Sequence, residues 1–254
     1  MILAVDAGNS NIVLGCMEGL EIRHTLRLKT DRAMSVAGYT VTLQAALAQA
    51  GFSVAGFEGG ILSSVVAAVT EPLRQALSAL LSGPVLVVGK TAKTTLPLCI
   101  DQPETIGADL IAAAEGALAQ YAPPLVLIDM GTATTFSVLD KSGAFLGGAI
   151  APGVQLGAEA LTQRTGLPMT ELSAPQSPLS HSTTDCLRSG IIYGAAAMVD
   201  GMLDRLETAL GMPVTAIATG GLAHCVILHC RRPVTLDDQL LLRGLAVMYR
   251  REMT

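Results

Sequence analysis

Two short stretches hold the residue types from which phosphate chemistry is built. The first, Asp6-Ala7-Gly8-Asn9-Ser10-Asn11, closes one apolar run and opens another, Ile12-Val13-Leu14-Gly15. The other, Asp129-Met130-Gly131-Thr132-Ala133-Thr134-Thr135, stands in the same setting 123 residues later. In each, a carboxylate ends an apolar segment and a glycine follows two positions on, which lets a ligand approach the backbone. Asn9, Ser10, Thr132, Thr134 and Thr135 add neutral hydrogen-bonding groups beside the amides of a turn. Such a turn can hold phosphate oxygens, and the aspartate can hold a cation, or water bound to one, that offsets the phosphate charge. One Asp-x-Gly alone is more readily an ordinary hairpin with a capping aspartate. Two in register point to a nucleoside triphosphate.

The elements that must carry these turns follow from periodicity. Residues 2–6, 11–17 and 21–29 read as three consecutive strands, followed by a helix over about 34–50. GGILSSVV and VLVVGK read as short buried strands with helical sequence between them, which implies parallel pairing. A helix is expected over about 108–120, broken by Pro123 and Pro124. LVLIDMG, TTFSVLD and AFLGGAI then repeat the three-strand pattern, and a long helix follows over about 186–209. Gly190, Gly194 and Gly201 fall within it, and close packing against a neighbouring backbone is the expected reason. The repeat is an internal duplication, which divides the chain into halves 1–121 and 122–254 with a ligand cleft expected at their boundary.

Composition narrows the classes of function. Half of the 254 residues are apolar and mean hydropathy is +0.51, yet no apolar run reaches the ~18 residues of a membrane span. Neither a signal peptide nor a membrane partner is expected, and the protein is expected in the cytoplasm. A net charge of -5 with 3% aromatic residues gives no footprint for nucleic acid. Five scattered cysteines suit a reducing compartment. The group His224, Cys225, His229 and Cys230 offers four zinc-ligand types, but the apolar residues between them read as a buried strand that sends His224 and Cys225 to opposite faces, favouring a structural role.

Further motifs carry a resemblance. Asp6-x-Gly8-Asn9 with Gly15, Ser63-Ser64-Val65-Val66, Pro103 before Gly107-Ala108-Asp109, and Asp129-x-Gly131-Thr132-Ala133-x-Thr135 occur in that order. Gly147-Gly148-Ala149-Ile150-Ala151-Pro152-Gly153, Thr184 before Ser189-Gly190, Thr219-Gly220-Gly221 and Asp237 before Gly244-Leu245 follow them. The ordered set resembles the type III pantothenate kinases of the actin, Hsp70 and sugar kinase superfamily, and it runs the length of the chain.

The resemblance implies an α/β fold of two duplicated ribonuclease H-like domains with a cleft between them. It also implies ATP-dependent phosphorylation of pantothenate, the first step of coenzyme A biosynthesis, with Mg2+, a monovalent cation (K+ or NH4+), and a homodimer. By likeness, Asp6, Ala7, Gly8, Asn9, Ser10, Asn11, Ile12, Val13 and Thr132 contact ATP, Asp129 binds the monovalent cation, and Asp109 is the general base. Ile100, Gly107, Ala108, Asp109, Leu110 and Thr184 occupy the acceptor-binding positions. Read from the residues alone, Asp109 is also a good helix N-cap, kept ionised by the helix dipole. Two positions depart from the family pattern, which has arginine where Leu110 stands and tyrosine where Ile100 stands. Leucine cannot grip the pantothenate carboxylate as arginine can. A kinase for a different hydroxyl compound, or a nucleotide-binding accessory protein with little turnover, therefore stands beside the pantothenate reading.

Overall fold

The computed structural model describes residues 1–168 and 171–254. The chain opens as an antiparallel meander of β1 (Ile2–Ala7), β2 (Asn11–Glu18) and β3 (Glu21–Lys29). Helix α1 (Val36–Gln49) leads to β4 (Gly60–Ser64), and α2 (Ala67–Leu80) leads to β5 (Val85–Val87). The two helical crossovers make β4 parallel to β1 and β5 parallel to β4, so the sheet order is β3-β2-β1-β4-β5. Helix α3 (Ala108–Leu118) closes this half.

The same plan is then repeated. Strands β6 (Leu125–Met130), β7 (Ala133–Leu139) and β8 (Phe145–Pro152) form the second meander. After α4 (Val154–Thr165) and α5 (Thr183–Leu210) come β9 (Thr215–Thr219), α6 (Ala223–Ile227), β10 (Thr235–Leu236) and α7 (Leu240–Glu252). Read from its meander edge, the sheet runs β8-β7-β6-β9-β10, with β9 parallel to β6 and β10 parallel to β9. The likeness extends to residues. β1 and β6 share one burial pattern, four buried positions followed by a half-buried aspartate and a buried end. Each meander carries a register shift in its outer strand pair, at Cys16/Met17 and at Val138/Leu139. The α/β duplication expected from the two Asp-x-Gly turns is therefore present in full.

Two compact units result, and they interleave along the chain. One comprises Met1–Leu96, Asp101–Gln120 and Gln239–Thr254; the other comprises Pro97–Ile100 and Tyr121–Asp238. The cut after residue 121 read from the sequence falls beside one of four crossings, while the last helix returns to the first unit. Its reason for returning is apolar: Leu242, Leu245, Ala246, Met248 and Tyr249 of α7 join Ile2, Ala4, Ile61, Ile111 and Ala112 in one core cluster. Helices α3 and α7 meet backbone to backbone. A Cβ on Gly244 would lie 1.7 Å from the Ala112 carbonyl oxygen, and one on Gly116 would lie 2.1 Å from that of Leu240. Beyond this crossing the Arg251 guanidinium donates to both oxygens of buried Glu115 at 3.0 Å, and Thr94 Oγ1 donates to the same carboxylate at 2.8 Å. The opposite face of the sheet, Leu3, Val5 and Ala7, packs under Tyr39, Leu43 and Leu47 of α1 and Leu73 and Leu77 of α2. In the second unit, Val126, Ile128 and Met130 pack against Ile192, Ala196, Val199 and Leu203 of α5.

Two expectations are corrected. The residues around His224 and Cys225 form the short helix α6 rather than a strand, so these two side chains are neighbours, with His224 Nε2 3.1 Å from Cys225 Sγ. A run of apolar residues this short has no decisive period. Among the described residues no three His, Cys, Asp or Glu side chains converge as metal ligands. Within α5, Gly190 and Gly194 face open space rather than a backbone, and Gly201 meets only the flexible end of Arg205. The first two instead line an apolar groove of about 560 Å3 between α4 and α5, with Gly157, Leu161 and Met198.

Candidate active site

In the first unit the alternation of β1 decides where Asp6 points. Ile2 and Ala4 belong to the cluster under α3 and α7, so Asp6 is on that face, at the carboxyl end of the strand, where open α/β sheets bind ligands. Its turn is closed by Gly8 N–H donating to Asn11 O at 2.9 Å. The turn is also stitched from the side. Thr30, just past β3, donates its amide to Ser10 O at 3.0 Å and its hydroxyl to Gly8 O at 2.7 Å. Arg32 Nη2 donates to Asn9 Oδ1 at 2.9 Å. Ser63 on β4 is in register with Asp6, and its buried hydroxyl has no hydrogen-bond partner among the described residues.

The start of α3 belongs to the same unit. Val13 of the turn's second strand, Ile106 and Ala108 all pack against one cluster, which brings the hairpin and the helix start under common constraint. The expected cap is corrected here: Gly107 occupies the N-cap, and Asp109 is the second residue of the helix, with its carboxylate accepting from the Leu110 amide at 2.8 Å. The dipole does not keep Asp109 at an ordinary value either. Burial raises its pKa, and the Leu110 and Asp109 amides offset only part of that. Burial that raises the proton affinity of a carboxylate makes it a better acceptor for a hydroxyl proton. Gly107 makes room for it, since a Cβ there would lie 2.3 Å from Asp109 Oδ1.

The second unit repeats the turn with different neighbours. Asp129 is in register with Thr135 on β7 and Thr219 on β9, the position that Ser63 takes beside Asp6. Gly131 N–H donates to Ala133 O at 3.0 Å, closing the turn as Gly8 closes the first. Two glycines of the later motifs exist for this turn. Gly220, at φ 94°, passes so close that a Cβ would lie 2.5 Å from Asp129 Oδ1, and a Cβ on Gly153 would lie 2.3 Å from Thr132 O. The hydroxyls of Thr134 and Thr135 are buried without hydrogen-bond partners among the described residues. Ile100 belongs to this unit and lies over Gly147, 3.5 Å from where its Cβ would be, beside the pairing of Cys99 with Phe145. Thr184 is exposed in the first turn of α5.

Ser63, Thr30 and Arg32 carry no role in the sequence reading. Only the strand order puts them beside Asp6 and its turn; a period-2 pattern says that β3 and β4 are strands but not which strands they flank.

Two sheets of one topology, each ending its central strand in an aspartate beside a glycine turn, define the duplicated α/β fold of the actin, Hsp70 and sugar kinase superfamily. Solved structures agree on that fold. A Baf family protein from Campylobacter jejuni aligns with a TM-score of 0.64 at 17% identity over 98% of each chain. A ROK hexokinase from Thermus thermophilus aligns at 0.55 and 14% identity over 98% of this chain and 99% of its own. The sequence model of the type III pantothenate kinases matches residues 2–205, and a type III pantothenate kinase of an Exiguobacterium strain is 38% identical over 99% of both chains. The chain belongs to the type III pantothenate kinase family.

Proposed function

We propose that the protein transfers the γ-phosphoryl group of ATP to the primary hydroxyl of pantothenate, giving 4'-phosphopantothenate and ADP at the start of coenzyme A biosynthesis. Full-length likeness to kinases named for this reaction carries the reading. The chemistry of the residues agrees with it. The Asp109 carboxylate accepts the hydroxyl proton as the oxygen attacks; the new O–P bond forms in line while the bond from the γ-phosphorus to the bridging oxygen breaks and ADP leaves. The amides of residues 7–11 and the side chains of Asn9, Ser10 and Thr132 bind phosphate oxygens.

Oxygen donors are what Mg2+ and K+ require, and the donor sets here are of that kind. Asp6 and the unpartnered Ser63 hydroxyl suit Mg2+ that is otherwise held by phosphate and water oxygens, and Asp129 with the unpartnered Thr135 hydroxyl suits a monovalent cation. Bound there, the ions offset phosphate charge. The same reading includes a homodimer in the cytoplasm; the apolar groove between α4 and α5, where two glycines face open space, supports self-association. Sedimentation at micromolar concentration that returns monomer alone would remove that part.

Leu110 and Ile100 favour a second reading, a kinase of this fold with a less anionic acceptor. ADP release with Mg-ATP and K+ or NH4+, with and without pantothenate, separates the two when a Leu110→Arg variant is run alongside. Pantothenate-dependent release by the unmodified protein is expected. Release only from the variant would reassign the acceptor.

A further inference from the structure

The first phosphate turn has a charge problem. Between Asp6 and Val13 every side chain is neutral apart from Asp6 itself, which is negative, so the turn offers amides but no cationic side chain to a polyanionic ligand. The cation comes from the next segment. β3 pairs with β2 through Asn11 opposite Lys29, which brings the chain leaving β3 alongside the turn. Thr30 bonds the turn backbone twice, and Tyr39, buried in α1, donates its hydroxyl to Asp31 O at 2.7 Å. The Asp31 carboxylate accepts from the Ala33 amide at 2.9 Å. Residue 32 is thus fixed on both sides. Its guanidinium is exposed, and Asn9 Oδ1, at the tip of the turn, is the only group bonded to it among the described residues. One arm of a five-donor fork is used for aiming, and the remaining donors bond to no other group among the described residues.

We propose that Arg32 is a phosphate-contacting residue of the nucleotide site, aimed by Asn9 and supplying the positive charge that the turn lacks. This rests on the reading of the turn as an ATP site. An arginine fork matches phosphate geometry and binds it through paired charge-assisted hydrogen bonds. The neighbouring Lys29 is on the sheet face of Asp6, since Leu26 and Leu28 face the other way, but among the described residues no side chain aims it.

Four substitutions separate contact from stitching. Arg32→Gln keeps a donor for Asn9 and removes the charge, Arg32→Lys keeps the charge, Arg32→Ala removes both, and Lys29→Gln tests the rival cation. The first measurement is calorimetric binding of Mg-ATP and, separately, adenosine, with pantothenate-dependent turnover as the second. Arg32→Gln and Arg32→Ala should weaken ATP binding about 10- to 100-fold, the range for a charged hydrogen-bond pair, while adenosine affinity changes less than about threefold. Arg32→Lys should recover most of the loss. Wild-type affinity in Arg32→Gln, equal losses for ATP and adenosine, or a loss confined to Lys29→Gln would each overturn the assignment. An unmodified protein that binds no Mg-ATP would overturn both this inference and the nucleotide reading of the turn. One that binds ATP but does not turn over pantothenate leaves the Arg32 comparison readable by calorimetry and removes only the acceptor.

Discussion

A methyl group at residue 107 tests the role of Asp109 without touching Asp109. Gly107 has φ −62° and ψ 137°, angles that alanine adopts freely, so Gly107→Ala introduces no backbone strain. At an N-cap, where glycine is preferred to alanine, the exchange costs roughly 0.5–1 kcal/mol, and the smaller entropy of the unfolded chain offsets about as much. What the methyl group does meet is the carboxylate. Its Cβ would lie 2.3 Å from Asp109 Oδ1, and ordinary contact begins at 3.4 Å, so the oxygen must withdraw by about 1 Å. The carboxylate is the end of a side chain and can move, which spares the fold and misplaces the base. A displacement of that size at a reacting group costs on the order of 100-fold in rate. The expected result is a kcat lowered about 100-fold, with Mg-ATP affinity and the urea midpoint close to those of the unmodified protein. A kcat within threefold of the original would refute the reasoning, because it would mean that the carboxylate position at Asp109 does not matter to the chemistry.

Other outcomes follow from the same structure. Asp109→Asn should lower turnover about 10²- to 10⁴-fold, the usual worth of a general base, with nucleotide binding retained. The same variant has a pH signature. Because burial raises the folded-state pKa of Asp109, the stability it contributes is full below its unfolded pKa and is lost as pH rises through the folded one, so asparagine should stabilise at pH 7 and not at pH 3 in urea titrations. Gly244→Ala places a methyl group 1.7 Å from a backbone oxygen of α3; the helices must part, and thermal unfolding should reveal a loss of about 1–3 kcal/mol or more. Glu115→Ala leaves Arg251 and Thr94 without their shared acceptor, and with Arg251 partly in solvent the loss should be roughly 1–3 kcal/mol in a denaturant titration.

The two hairpins were legible because their information is local. An apolar run, an aspartate, a glycine and a second run specify a strand, a turn and a strand wherever they occur, and the repeat in Asp129-Met130-Gly131 supplied the duplication. Long helices were legible to within a few residues for the same reason. What stayed hidden depended on partners remote in sequence. The destination of Leu242, Leu245 and Tyr249 is the cluster around Ile2 and Ala4, more than 230 residues earlier, and nothing in their helical spacing names it. Glycines were misread in α5 because a glycine that faces open space and one that faces a backbone look alike in a sequence; Gly116 and Gly244, which do face a backbone, drew no such inference. Arg32 was one exposed basic residue among several until the pairing of Asn11 with Lys29 put it beside Asn9. The raised pKa of Asp109 depends on how much water the surrounding residues exclude, which no spacing rule reports.

The return of the last helix to the first unit also sets an order of assembly on the ribosome. All residues of the second unit have been synthesised once Asp238 is made, whereas the first still lacks α7, and with it five of the thirteen buried residues of the core beneath α3. The first half of the gene thus encodes a sheet whose one face stays uncovered until α7 has been made. Domains usually fold in the order in which they emerge. Here the half made first is completed after the second, so loss of residues 240–254 would leave the second unit whole and strip the Asp6 turn and Asp109 of the packing that holds them.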